Sequence, residues 1–330
     1  MSWLRIIHET TYRYRKAVRF GPHRLVLRPR EGHDVRVEEM RLEIAPEFEL
    51  EWSRDLFGNS VATAHFLNPA DHLRIRSEVL LQQTSPFPPR RSSLHSPIAF
   101  PARFSEVEAT VAAAYLQTTY PDDLQRVKEW AAAAIDVDEI CEAEAVVALI
   151  ARTIRQAIKY RRREEKGVQT PAQTLEAGSG SCRDMATLML EVLRALGLPA
   201  RFASGYLDCA ASEAGRASTH AWAEAYLPDI GWTGYDPMMG EPVSRKHIVT
   251  GVSNHPRGVM PVSGTFYDDA KDAYLGMQVT VQTARSAAPP SVSDPPHQNE
   301  DEENDQDQAE ATTGIVAPAR AIRPRRQGAD

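Results

Sequence analysis

From Trp3 to about Gln83 apolar side chains recur at every second position, as in Leu4-Ile6, Leu25-Leu27, Val35-Val37, Leu42-Ile44, Phe48-Leu50-Trp52 and Leu73-Ile75. A period of two belongs to strands with one buried and one wet face. Turn chemistry separates the runs at Phe20-Gly21-Pro22, Arg30-Glu31-Gly32, Ala45-Pro46-Glu47 and Leu56-Phe57-Gly58-Asn59. Residues 1–83 are therefore expected to form an antiparallel β-sandwich domain. Charged residues such as Arg36, Glu43, Arg74 and Arg76 fill the alternate positions, as a solvated sheet face requires. Residues 84–103 carry Pro86, Pro88, Pro89, Pro97 and Pro101 and read as a linker. Beyond it the period changes to three and four over Ser105–Tyr115, Asp122–Ile135 and Glu142–Tyr160, which predicts helices.

The pattern is sharpest after Gly178-Ser179-Gly180-Ser181. Met185, Leu188, Met189, Val192, Leu193 and Leu196 form one apolar stripe at helical spacing, and Gly197 and Pro199 end it. Ser181 with Asp184 resembles a capping box, so Cys182 is expected as the first residue of that helix. Helix N-termini stabilise anions, and the nucleophilic form of cysteine is the thiolate. A lone cysteine at a helix start is more often a small buried residue, so further residues must decide.

Thr219 to Leu227 alternates strictly, with His220, Trp222, Glu224 and Tyr226 on one face. Pro228-Asp229-Ile230-Gly231 then turns the chain into Trp232–Asp236, ended by Pro237. His220 and Asp236 share a parity, and a hairpin centred near Pro228 makes them cross-strand neighbours. That pairing requires an odd-membered loop or a bulge. A carboxylate on one imidazole nitrogen leaves the other for a thiol, the arrangement that activates a nucleophile. Cys182, His220 and Asp236 are the candidate catalytic residues.

Composition narrows the alternatives. The chain has 330 residues and a formal net charge of −7, the wrong sign for a general phosphate-backbone binder, so no nucleic acid partner is expected. Three widely spaced cysteines, Cys141, Cys182 and Cys209, argue against a disulfide framework. The start shows no signal-like apolar run, and no stretch is long enough to span a bilayer, so the expectation is a cytoplasmic protein without membrane partners. The ten histidines lack metal-ligand spacing and no phosphate-cradling loop occurs, so neither metal nor cofactor is expected. Residues 284–330 are acidic and poor in residues that could be buried, and are expected to form a disordered tail.

Gly180-Ser181-Cys182-Arg183-Asp184, then Gly197-Leu198-Pro199-Ala200-Arg201 with Ser204-Gly205-Tyr206, His220-Ala221-Trp222-Ala223-Glu224, Gly231-Trp232 and Tyr235-Asp236-Pro237 resemble the core of the bacterial transglutaminase-like proteins. The order Cys, His, Asp matches as well, and residues 1–83 resemble the β-rich region that precedes this core. The resemblance implies an α+β chain with a papain-like transglutaminase core over residues 104–283, a nucleophile helix packed on an antiparallel sheet. It also implies Cys182 as nucleophile, His220 as general base and then acid, and Asp236 as orienter. The implied reaction is attack on an amide of a protein or peptide through a thioester, passed to water or to an amine, without calcium. Animal transglutaminases place a Trp upstream of the nucleophile as a second oxyanion donor. This chain has none between Trp130 and Cys182, and Tyr160 is the candidate substitute. Met238 stands where a small polar residue is usual. The competing reading is a non-catalytic or regulatory binding module that retains the three residues.

Overall fold

The computed structural model describes residues 2–84, 97–136, 142–163, 167–208, 218–268, 273–287 and the pair 320–321. Cys141, Cys209, most of the 84–103 linker and nearly all of the tail read as disordered lie outside the described residues.

The alternating N-terminal region folds as six strands: β1 (Ser2–Phe20), β2 (His23–Leu25), β3 (Val35–Ala45), β4 (Phe48–Arg54), β5 (Ser60–Phe66) and β6 (Ala70–Gln83). The turns at residues 20–22, 45–47 and 56–59 fall where the turn residues stand. β6 pairs antiparallel with β1 and β3, and β5 with β2 and β4. Tyr12, Leu25, Ala62, Leu73 and Ile75, drawn from both groups of strands, share one apolar cluster. On the wetter face the alternate charges pair across strands, Arg74 with Glu9 at 2.6 Å and Arg76 with Glu43 at 3.2 Å.

Three helices follow, α1 (Glu106–Leu116), α2 (Leu124–Ala134) and α3 (Ala143–Ala157). The third stops short of the expected Tyr160. Its cap, Ile158, is extended, and Lys159 turns its N–H to the Gly178 carbonyl, making β7 (Lys159–Tyr160). After α4 (Pro171–Ala177) comes β8 (Ser179–Gly180), the parallel partner of β7, then α5 (Cys182–Ala195). The core sheet consists of β9 (Ala200–Leu207), β10 (Ser218–Leu227), β11 (Gly231–Asp236), β12 (Glu241–Pro242) and β13 (His247–Ser253), in the order β12-β11-β10-β9-β13 and antiparallel throughout.

The α5 stripe is buried as its spacing dictates. Met185, Leu188, Met189, Val192 and Leu193 pack with Val147, Ile150 and Ile154 of α3 and with Ala221, Ala223, Ala225 and Leu227 of β10. The small alternate residues of β10 let the helix lie close to the sheet. Gly197, with φ +80°, closes the helix while the Leu198 N–H returns to the Leu193 carbonyl at 2.9 Å.

The chain then goes back to the N-terminal strands. β14 (Val262–Ser263) pairs with β2, and β15 (Thr265–Tyr267) and β16 (Tyr274–Ser286) pair with β1. Residues from Val262 onward, grouped with the core on sequence grounds, thus belong by pairing to the N-terminal sheets. β16 runs to Ser286, past the expected start of the tail at 284. Its alternation is too weakly apolar to register as a strand when read without its partner.

The two regions are joined by buried polar contacts. The Asn59 side chain, fully buried, donates to the Val252 carbonyl at 2.8 Å and accepts the Val252 N–H at 2.9 Å. His8 of β1 bonds the Tyr206 hydroxyl of β9 at 3.0 Å and Thr10 at 2.9 Å. Burial pushes the His8 imidazole down to about 4.

Candidate active site

Cys182 opens α5, as the capping residues foretell. The buried Asp184 carboxylate accepts the Ser181 N–H and hydroxyl, both at 2.8 Å, and the Gln169 N–H at 2.8 Å, with Arg163 at 3.2 Å. The approach is tight, for a Cβ on Gly180 would lie 2.8 Å from that of Asp184. From Asp184 to Arg194 every residue of the helix is buried, whereas Cys182 is half-buried.

The β10–β11 loop settles where the other two candidates stand. Leu227 pairs with Gly231, leaving the three-residue loop Pro228–Ile230, with Asp229 at φ +62°. The odd-membered loop preserves the shared parity of His220 and Asp236. Asp236 then falls opposite Trp222, so His220 is its diagonal neighbour and not its direct partner. Diagonal neighbours remain within reach of long side chains. His220 Nε2 lies 2.7 Å from Asp236 Oδ2. The Cys182 thiol is a further side-chain hydrogen-bond partner of His220, so the structure brings the three predicted residues together.

Both members of the His–Asp pair are buried, His220 4 % exposed and Asp236 not at all. Burial alone would depress the imidazole; the Asp236 charge and hydrogen bond, then those of Cys182, outweigh it and hold His220 well above its ordinary value. Burial would likewise raise the Asp236 carboxyl, yet the charge and hydrogen bonds of His220, with those of His247, keep it far below the carboxylate range.

His247 is the residue that sequence reasoning missed. Its Nε2 lies 3.1 Å from the same Asp236 oxygen, and its side chain is 3 % exposed. A close approach of β13 to β9 brings it there: a Cβ on Gly205 would lie 1.9 Å from the Ile248 carbonyl oxygen. The parity of His247 with Val249 offered a faint signal of a strand, but nothing in the sequence pairs that strand with β9.

Tyr160 is half-exposed on β7, beside Gly180. Burial, followed by the Cys182 charge, pushes its hydroxyl pKa up. Met238 turns its N–H to Asp236 Oδ1 at 2.9 Å, so its backbone serves the carboxylate whatever its side chain.

His220, Asp236 and His247 hold ligand-type atoms within 4.8 Å of one another. Both imidazole nitrogens are directed at one carboxylate oxygen, as hydrogen-bond partners are. A cation there would replace those bonds, so the donor set fits the hydrogen-bonded arrangement better than a metal. Among the described residues no helix is long and apolar enough to cross a membrane.

A cysteine-initiated helix packed on an antiparallel sheet, with an imidazole and a carboxylate on adjacent strands, is the arrangement that the resemblance to transglutaminase-like proteins implies. Residues 4–82 match the bacterial transglutaminase-like N-terminal region and residues 118–237 match the transglutaminase-like superfamily, so the chain carries both regions of a bacterial transglutaminase-like protein. It is 29% identical over 292 residues to an uncharacterized protein of Mycobacterium tuberculosis, covering 84% of this chain and 91% of that one. A protein-glutamine gamma-glutamyltransferase of Pseudomonas aeruginosa is 40% identical over 65 residues, 18% of this chain and 10% of that protein. The crystal structure of a candidate cysteine protease from Cytophaga hutchinsonii shares the fold at a TM-score of 0.65 and 15% identity, over 86% of this chain and 90% of that one.

Proposed function

We propose that the protein is a cysteine-dependent enzyme that attacks amide bonds of a protein or peptide through a thioester on Cys182. The observation that carries this reading is His220, which hydrogen-bonds the Cys182 thiol and lies 2.7 Å from the buried Asp236 carboxylate. A thiol and an imidazole in contact, the imidazole steered by a carboxylate, can exchange a proton and expose sulfur as a nucleophile.

In this mechanism Cys182 Sγ bonds the amide carbonyl carbon, and the carbonyl electron pair moves to oxygen. The Cys182 N–H, at the helix N-terminus, is the donor for that oxygen. The tetrahedral species collapses, the C–N bond breaks, and His220 gives its proton to the departing amine. Water or a primary amine then attacks the thioester, transfers a proton to His220 and releases the sulfur. Asp236 stays ionised throughout, because two imidazoles and two backbone N–H groups serve it. The arrangement is papain-like in this reading, and Tyr160 is the candidate second oxyanion donor.

The test is a library of glutamine-containing peptides incubated with and without a primary amine, using wild type and Cys182→Ala. Cleavage, deamidation or amine incorporation that disappears in Cys182→Ala supports the reading, and the products separate hydrolysis from transfer. Cysteine reactivity with no turnover on any peptide favours the binding-module alternative.

A further inference from the structure

Asp236 is engaged more fully than a carboxylate steering one imidazole requires. Oδ1 accepts the N–H groups of Met238 at 2.9 Å and Met239 at 3.4 Å, and Oδ2 meets Nε2 of His220 at 2.7 Å and of His247 at 3.1 Å. The tautomer of His247 follows from its other nitrogen. Nδ1 accepts the Ser244 N–H at 3.1 Å, which leaves the ring proton on Nε2, facing Asp236. His247 is therefore a donor to the carboxylate, and its ring stands edge-on to Trp222 at 5.2 Å.

The segment that carries His247 is fastened from the N-terminal sheet. The Arg245 carbonyl accepts Gln83 Nε2 of β6 at 3.0 Å and the Arg285 guanidinium of β16 at 3.3 Å. Arg285 also bonds Gln83 Oε1 at 2.6 Å and Asp208 at 2.8 Å, and the Asp208 N–H reaches the Lys246 carbonyl at 2.7 Å. Two strands of the N-terminal sheet thus grip the residues just before His247.

We propose that His247 is a positioning residue that holds Asp236 Oδ2 against His220, and that Gln83 and Arg285 set its place, so that the N-terminal sheet contributes to the chemistry at Cys182. This rests on the reading of Cys182 as nucleophile. The physical reason is rotational: two donors on each oxygen hold the carboxylate against turning about its Cβ–Cγ bond, and His247 is one of only two that restrain Oδ2. Without His247, the bond to His220 alone restrains Oδ2, the carboxylate is held less tightly, and the His220 ring loses part of its alignment.

Iodoacetamide alkylation of Cys182 in the full chain, followed by peptide mass mapping across pH, tests this. The titratable groups facing His220 are Cys182, Asp236 and His247. His247→Leu removes the donor; it is expected to slow alkylation about 10- to 100-fold, the size of loss seen when a hydrogen-bond partner behind a metal-bound side chain is removed. The limb of the profile where His220 gives up its proton should move to lower pH. His247→Gln keeps an N–H donor at similar reach and should restore both rate and limb towards wild type. Gln83→Ala, which removes a bond to the Arg245 carbonyl, should fall between, and it decides the question alone if His247→Leu does not fold. A wild-type profile in His247→Leu or Gln83→Ala, a limb displaced to higher pH, or a Gln variant as impaired as Leu would overturn the proposal. His220→Ala is run beside them. If it alone slows alkylation, only this inference falls; if it has no effect, the reading of Cys182 falls too.

Discussion

His220 lies between two groups that compete for its proton, and the balance of burial and charge sets its chemistry. Burial opposes the imidazolium, while Asp236 and Cys182 favour it strongly enough to hold the pKa well above 6.5. Asp236→Asn keeps the size and some hydrogen bonding but removes the charge, leaving burial as the larger influence. The His220 pKa is then expected to fall, and an NMR titration of the ring would show it. Turnover should drop about 10²- to 10⁴-fold, the usual range for loss of general acid–base function. An Asn variant with wild-type turnover and an unmoved His220 titration would contradict the assigned role of the carboxylate.

Among the elements, α5 and the β10–β11 hairpin carry the site, and both were largely legible in the sequence. The i, i+3, i+4 stripe from Met185 to Leu193 needs only the helix itself to be recognised, and Ser181 with Asp184 marks its start. The shared parity of His220 and Asp236 was equally visible, but their diagonal offset depended on a three-residue loop that turn chemistry alone does not select. Lys159–Tyr160 looked helical because its partner, β8, lies some twenty residues onward. His247 carried only a faint strand parity for the same kind of reason: its place depends on how closely β13 approaches β9. Two outcomes follow at this scale. Leu188→Ala, in the fully buried stripe, should cost about 2–5 kcal/mol, seen as a lower urea midpoint. Gly205→Val forces the Ile248 backbone away, and is expected to reduce Cys182 alkylation by displacing the strand that carries His247.

For the whole molecule, the N-terminal sheets and the core share buried polar contacts, so their stabilities should be coupled. Asn59→Ala strands the Val252 N–H and carbonyl in the interior and should cost about 1–3 kcal/mol, read as one cooperative transition at lower temperature. Part of the dependence on pH follows from three imidazoles. Burial holds His8 and His23 at about 4, with a backbone hydrogen bond to Gly21 partly offsetting it in His23. Between about 4 and 6.5 the unfolded chain therefore binds more protons at these two sites, and stability should fall as pH falls. His220 has the opposite sign: its contribution is complete below its unfolded pKa and is lost as pH rises through the elevated folded value. Chemical denaturation across pH should thus show a maximum between the two regimes, with His8→Gln flattening only the acid side. An acid limb unchanged by that substitution would contradict the assignment.

The most direct measurement compares the three cysteines in one molecule. Limited iodoacetamide at neutral pH, with mass mapping of Cys141, Cys182 and Cys209 in wild type and His220→Ala, is predicted to label Cys182 far faster than the other two, and the preference should vanish without the imidazole. Equal labelling of all three in wild type, or a Cys182 rate indifferent to His220, would contradict the account.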